Sequence, residues 1–116
     1  MSQAHKDTVL AFYEAIDTRK PDRISAVCTP TATFQFGGAP AISLAQFVGM
    51  TTGGPATGMR HVVREMVVEG DKLACHVDVV GSANGVESVT KALTLYTFEG
   101  GKIAHELVIL DRGLPS

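Results

Sequence analysis

Residues 60–80 read RHVVREMVVEGDKLACHVDVV. Two apolar, largely β-branched runs flank Glu69-Gly70-Asp71, the signature of a β-hairpin. With Gly70-Asp71 as a two-residue turn, Glu69 faces Lys72 and the register follows. Val67 then faces Ala74, Glu65 faces His76, Val63 faces Asp78 and His61 faces Val80. Opposed residues share a sheet face. One face therefore carries His61, Val63, Glu65, Val67, Ala74, His76, Asp78 and Val80. The other carries Val62, Arg64, Met66, Val68, Leu73, Cys75, Val77 and Val79. The second set is nearly all apolar, so pattern alone makes it the core face and leaves His76 and Asp78 in water.

Downstream, strands are expected at 88–98 and 102–110, after a looser connection over 81–87. The stretch EGGK (99–102) reads as a type I turn closed by a glycine bulge at Gly101, which sets Phe98 against Lys102 and Thr94 against Glu106. Ala92, Thr94, Tyr96, Ala104, Glu106, Val108 and Leu110 then share a face, and Ile103, His105 and Leu107 lie on the other. Upstream, Val9, Phe12, Tyr13 and Ile16 form the stripe of a helix over 3–18 that Ser2 caps. Pro21 opens a second short helix, with Ile24, Val27 and Cys28 inward and Pro30 at its end. A strand follows over 31–36. Ser43 and Gln46 form a capping box for a third helix, to about Met50, which buries Leu44, Phe47 and Val48. The glycine-rich 51–58 is a connector, with a lid as the alternative.

Helices first and strands last make an α+β domain spanning 1–116, three N-terminal helices on a curved antiparallel sheet. Both sheet faces are rich in apolar groups and three short helices cover only one, so the other is expected to bury itself in a homodimer. The 116 residues carry a net charge of −2 with no basic cluster, which argues against nucleic acid. No run is apolar enough to span a membrane, and the polar start lacks a signal peptide's core. Cys28 and Cys75 form no motif, so reduced thiols in the cytoplasm are expected. No spacing supports a metal site, and no cofactor is expected.

The order of elements, with VLAFYEAIDTRKPDRISAV (9–27), TATFQF (31–36), VVEGDKLA (67–74) and YTFEGGKIAHELVILD (96–111), resembles the SnoaL-like group of the nuclear-transport-factor-two-like superfamily. That group holds polyketide cyclases, ketosteroid isomerases, limonene epoxide hydrolase and scytalone dehydratase. The resemblance implies a cystatin-like cone around a central pocket for a small apolar molecule. It also implies that His76 and Asp78 project into that pocket, together with Glu106, Val108 and Leu110, while the convex face forms the dimer. Ketosteroid isomerases have a helix-one tyrosine, a carboxylate base and a protonated acid where this chain has Phe12, Phe36 and Thr94; Tyr13 is one place off. Polyketide cyclases also have an aspartate at the position of Thr94. In limonene epoxide hydrolase an Arg-x-Asp stands where His76-Val77-Asp78 stands here, and its second aspartate is replaced by Val108. His61 with His76 echoes the pocket histidines of scytalone dehydratase.

On the resemblance, Asp78 is the expected base and His76 its partner, in a cofactor-independent isomerase, dehydratase, cyclase or epoxide hydrolase. Tyr13, Phe36, His61, Thr94, Tyr96, Glu106 and Leu110 are the expected substrate contacts. Asp111 is expected in an ion pair with Arg112 or Arg60, and His5 and His105 at the surface. Two other readings stay open: a non-catalytic binder of a hydrophobic ligand, and an interaction module whose dimer face is its function.

Overall fold

The computed structural model describes residues 2–53, 59–83 and 85–111. Its elements are α1 (Ser2–Asp17), α2 (Pro21–Ala26), β1 (Cys28–Phe36), β2 (Ile42–Ser43), α3 (Leu44–Thr52), β3 (Arg60–Glu69), β4 (Lys72–Ala83), β5 (Val86–Glu99) and β6 (Lys102–Leu110). The sheet order is β2-β1-β6-β5-β4-β3. β3 to β6 form the expected antiparallel meander, but β1 runs parallel to β6. The sheet is therefore mixed. The long path from β1 to β6 imposes no hairpin, so nothing local forces that pair to be antiparallel.

The helices bury one face of this sheet. Val9, Phe12, Tyr13 and Ile16 of α1 lie in the core, as their spacing predicts. The Ser43–Gln46 capping box is present: the Ser43 backbone N–H donates to Gln46 Oε1 at 2.9 Å, and the Gln46 N–H to Ser43 Oγ at 3.2 Å. It starts α3 so that Phe47 enters the core beside Phe34, ring centroids 4.1 Å apart. α2 stops at Ala26, ahead of Pro30, and Pro30 lies within β1. There the pairing slips, from Cys28 opposite Ile103 to Thr33 opposite His105. Proline has no N–H to give the ladder. The expected Ser2 cap and most of the 51–58 connector fall outside the described residues and side chains, although Thr51 and Thr52 extend α3.

Two registers differ from the sequence reading. β3 and β4 pair as expected from Glu69 opposite Lys72 to Glu65 opposite His76, and then a bulge intervenes at Arg64. Beyond it Val63 faces Val77 and His61 faces Val79. Strict alternation would have put Arg64 beside Met66 and Val68, an unpaired charge beneath the helices. The extra residue turns Arg64 outward and swings His61 and Val63 inward. At the β5–β6 turn, Gly100 and Gly101 both have positive φ (59° and 80°) and Glu99 pairs with Lys102. This is a two-residue loop of the I′ kind, not a type I turn with a bulge. The bulge sits one step inward, at Ala104, so Ile103 opposes Phe98 and is fully buried rather than outward. Thr94 consequently faces Val108, and Tyr96 faces Glu106.

Finally, β4 and β5 pair without a break from Ala83 opposite Val86 to Lys72 opposite Thr97. The looser connection expected over 81–87 is strand on both sides of Asn84-Gly85.

Phe12 is the hub of the aromatic core, with Phe47 at 5.7 Å, Phe34 at 6.2 Å and Tyr96 edge-on at 5.9 Å. Removing a fully buried aromatic ring of this kind costs roughly 3–5 kcal/mol. Phe12→Ala is therefore expected to lower the free energy of urea unfolding by that amount. A loss below about 1 kcal/mol would show that Phe12 is not at the centre of the core.

Candidate functional site

The continuous β4–β5 ladder fixes which side chains lie under the helices. Leu73 is opposite Tyr96, Cys75 opposite Thr94 and Val77 opposite Ala92, and all six are buried. His76 is opposite Leu93 and Asp78 opposite Lys91, on the other face. The expected inward projection of His76 and Asp78 is thus corrected: both point away from the helices. The physical reason is pairing. Cross-strand partners share a face, so Thr94 and Tyr96 cannot point inward together with His76 and Asp78.

Asp78 is nevertheless buried, beneath basic side chains rather than helices. Arg64 holds it through Nε and Nη2, each 2.8 Å from Oδ2, and Lys91 Nζ lies 3.6 Å from Oδ1. The Arg64 hydrogen bond, aided by the Lys91 charge, keeps this carboxyl below its usual pKa. A carboxylate stabilised in this way is a poor base. His76 Nε2 is 4.0 Å from Asp78 Oδ1 and its side chain is 43% exposed. His76 also borders a shallow concavity of about 250 Å³ on this outer face, with Lys91, Leu93, Ile109 and Asp111.

Five of the expected substrate contacts do come together on the helix side. The Tyr13 hydroxyl is 3.1 Å from Thr94 Oγ1 and 2.8 Å from the Tyr96 hydroxyl. Tyr96 in turn is 2.6 Å from Glu106 Oε2, and Thr94 donates to the Cys75 carbonyl at 3.3 Å. His61 stacks on the Tyr13 ring, centroids 4.5 Å apart and 8° from parallel. Tyr13 reaches this cluster although it is one place from the position the resemblance gave, because Phe12 turns to the aromatic core instead. Phe36 and Leu110 pack against the edge of the same core.

Burial dominates the electrostatics here. It lifts Glu106 to about 7, against smaller opposing effects of the Tyr96 hydrogen bond and the His61 charge. It also raises both tyrosines well above their ordinary range, so each remains a proton donor. With Glu106 protonated on Oε2, the hydroxyls can run in one direction: Glu106 to Tyr96, Tyr96 to Tyr13, Tyr13 to Thr94, and Thr94 to the Cys75 carbonyl. With Glu106 ionised, or protonated on Oε1, Tyr96 donates a hydrogen bond to Oε2 and Tyr13 can donate to Tyr96. Among the described residues Oε1 receives no hydrogen bond.

Sequence reasoning missed Asp17. Its Oδ1 is 2.6 Å from His61 Nδ1, and its Oδ2 accepts the His61 backbone N–H at 2.8 Å. The available signal was an acidic residue at the last position of α1, where the helix dipole disfavours it. The remaining polar candidates are structural. Asp111 Oδ1 accepts the Lys91 backbone N–H and Arg60 pairs with Glu87, while Arg112, the other partner expected for Asp111, lies outside the described residues. His5 is not at the surface: its ring stacks on Phe98 at 4.0 Å. His105 Nδ1 meets Thr33 Oγ1 at 2.7 Å and is half-buried. No group of described residues has the makings of a metal site.

Several solved structures share this architecture. IdmH of Streptomyces antibioticus, provisionally assigned as a polyketide cyclase, is 20% identical, with 92% of this chain and 91% of that one covered and a TM-score of 0.79. An epoxide hydrolase of M. tuberculosis, described as LEH-like, gives 12% identity, 94% and 84% coverage, and a TM-score of 0.83. SalBIII, an epoxide hydrolase/cyclase-like enzyme of pyran ring formation in the polyether salinomycin, gives 15%, 94%, 92% and 0.80. At these identities the likeness is one of fold. No curated protein matches the sequence. The profile of the SnoaL-like domain, however, matches residues 9–106. With most of its length in that match, and with three helices laid on a six-stranded mixed sheet, the chain belongs to the SnoaL-like family.

Proposed function

We propose that this protein is a cofactor-independent acid–base enzyme acting on a small, largely apolar molecule that carries a carbonyl, hydroxyl or epoxide oxygen. Glu106 is the group that exchanges the proton. The observation that carries this reading is a carboxyl sealed beneath the helices, lifted to about 7, with a tyrosine 2.6 Å from one oxygen. A group titrating near the working pH is well suited to both giving and taking a proton. Tyr96 holds Oε2, which leaves a proton on Oε1 free to go to the oxygen of a bound molecule. Tyr13 and Thr94 complete the polar end. Phe36 and Leu110, at the edge of the core, supply apolar contact.

The reading draws support from the fold's likeness to a cyclase and to epoxide hydrolases. A second reading, non-catalytic binding of a hydrophobic ligand, is favoured by one observation. Phe36 and Thr94 stand where the resemblance to ketosteroid isomerases puts carboxyl groups.

The partner we propose for the outer face is a second copy of the chain. Val67, Leu93, Leu95 and Ile109 are exposed there, each by 40% or more. Glu65, His76, Arg64, Asp78 and Lys91 supply charges of both signs around them, as a self-complementary two-fold contact requires. The proposed location is the cytoplasm, where the unbridged Cys28 and Cys75 stay reduced. No described helix is long and apolar enough to cross a membrane.

Three measurements test these proposals. Between pH 4.5 and about 7 the folded chain holds a proton on Glu106 that the unfolded chain has lost. Stability due to this group must therefore fall as pH rises through that window. Relative to Glu106→Gln, the wild type is expected to lose about 3 kcal/mol from pH 4.5 to pH 8 in urea unfolding. Equal slopes would place the Glu106 titration elsewhere. In turnover, a panel of a cyclic enone, a cyclic epoxide and a β-hydroxyketone is expected to yield at least one substrate, with kcat/KM lowered roughly 10²–10⁴-fold in Glu106→Gln. No turnover of any member favours the binding reading. Sedimentation is expected to show twice the monomer mass for the wild type and monomers for Leu93→Asp. A wild-type monomer at micromolar concentration overturns the dimer.

A further inference from the structure

The Asp17–His61 pair stands beside the polar cluster. Asp17 spends both carboxylate oxygens on one residue: Oδ1 is 2.6 Å from the ring Nδ1, and Oδ2 accepts the backbone N–H at 2.8 Å. A carboxylate only accepts, so Nδ1 carries a proton. The His61 and Asp17 side chains are 12% and 19% exposed, so the contact is largely shielded from water. Asp17 is also the last residue of α1, whose final turn has no basic residue. The carboxylate and the carbonyl end of the helix therefore both present negative charge to the imidazole.

Asp17 stands one helical turn beyond Tyr13. The ring it anchors lies parallel to the Tyr13 ring, centroids 4.5 Å apart. The Tyr13 hydroxyl meets that of Tyr96 at 2.8 Å, and Tyr96 meets Glu106 Oε2 at 2.6 Å. Five side chains from α1, β3, β5 and β6 thus form one continuous cluster, with the Asp17–His61 pair at one end and the Glu106 carboxyl at the other. The titratable neighbours that interact with Glu106 from α1, β1, β4 and β5 are Tyr13, Cys28, Cys75 and Tyr96, and burial holds all four in their neutral forms. The arginines of this end of the molecule are engaged elsewhere: Arg64 on Asp78, Arg60 on Glu87 and Arg19 on the Thr52 carbonyl. The cross-strand partner of His61 is the apolar Val79. The positive charge that opposes burial at Glu106 is that of His61.

We propose that His61 is a positioning residue that acts on Glu106 through charge: its imidazolium, anchored by Asp17, balances the carboxylate that Glu106 becomes on giving up its proton, and the two groups bind protons as a coupled pair. This rests on the acid–base reading of Glu106. It requires no contact between the ring and a bound molecule. A carboxylate formed alone in the layer between helices and sheet is an uncompensated buried charge. A carboxylate formed with an imidazolium on the far side of Tyr13 is offset. Asp17 keeps that cation in place without approaching Glu106 itself, because its two oxygens are taken up by His61. The coupling is reciprocal: each charge favours the other by one and the same factor.

The test is an NMR titration of the full chain labelled with ¹³C and ¹⁵N, and it uses no ligand. The Glu106 carboxyl carbon is assigned by its loss in Glu106→Gln, and the His61 ring by its loss in His61→Gln. Two variants remove the charge. His61→Gln also removes the ring, whereas His61→Phe keeps a flat ring to stack on Tyr13. Both are expected to raise the proton affinity of Glu106 by about 5-fold or more. In Glu106→Gln the His61 ring is expected to bind its proton more weakly by the same factor. A ring that serves only as packing predicts otherwise: the Phe variant would match the wild type, and no reciprocal change would appear.

An unchanged Glu106 titration in folded His61→Gln or His61→Phe overturns the inference. So does an unchanged His61 titration in Glu106→Gln, a result that leaves β3 untouched and decides the matter even where neither His61 variant folds. A wild-type Glu106 that titrates near pH 7 without either change sinks the coupling alone. A wild-type Glu106 that does not titrate in that region overturns the acid–base reading and the coupling together.

Discussion

The bulge at Arg64 sets what the rest of the interior can be. A strictly alternating β3 would carry a guanidinium into the layer between sheet and helices, where nothing pairs with it. One extra residue sends Arg64 outward onto Asp78 and brings His61 inward onto Tyr13 and Asp17. One local irregularity thus separates two charge systems on opposite faces of a single sheet. On the outer face an aspartate is tied down by cations. On the inner face a glutamate and a histidine are held by tyrosines and an aspartate.

The inner system is costly to build. Glu106 is buried, flanked across the sheet by Phe34 and Tyr96, and burial favours its neutral form. Satisfying it with hydroxyls rather than with a cation leaves it able to titrate. Asp78 is the contrasting case, a carboxyl pinned in its charged form by Arg64. Two carboxyl groups of one small domain therefore have opposite chemistry, and only environment distinguishes them. The aromatic cluster of Phe12, Phe34 and Phe47 supplies the rigid floor on which the polar chain is arranged.

A shared fold with cyclases and epoxide hydrolases constrains architecture more than reaction. Between helices and sheet, α1 contributes Tyr13 and the inner sheet face contributes His61, Thr94, Tyr96 and Glu106, while Phe36 and Val108 occupy places where the resemblance would put carboxylates.

Much of the fold was legible in the chain. The stripe of α1, the Ser43–Gln46 box, the Glu69-Gly70-Asp71 hairpin and the shared face of Thr94, Tyr96 and Glu106 follow from spacing and turn chemistry, which act between near neighbours, whereas only the resemblance turned that face inward. One further signal was there to be read. The dipeptide Asn84-Gly85 between Ala83 and Val86 is a strong sequence signal for a two-residue hairpin, and the register such a hairpin sets would have put His76 opposite Leu93 and so on the outer face. What spacing could not give was the bulge at Arg64, the parallel pairing of β1 with β6, or the meeting of Asp17 with His61. Each depends on partners distant in sequence. A bulge is placed by the cost of burying a charge that only the assembled layers define, and a histidine acquires a role only when a helix end arrives beside it.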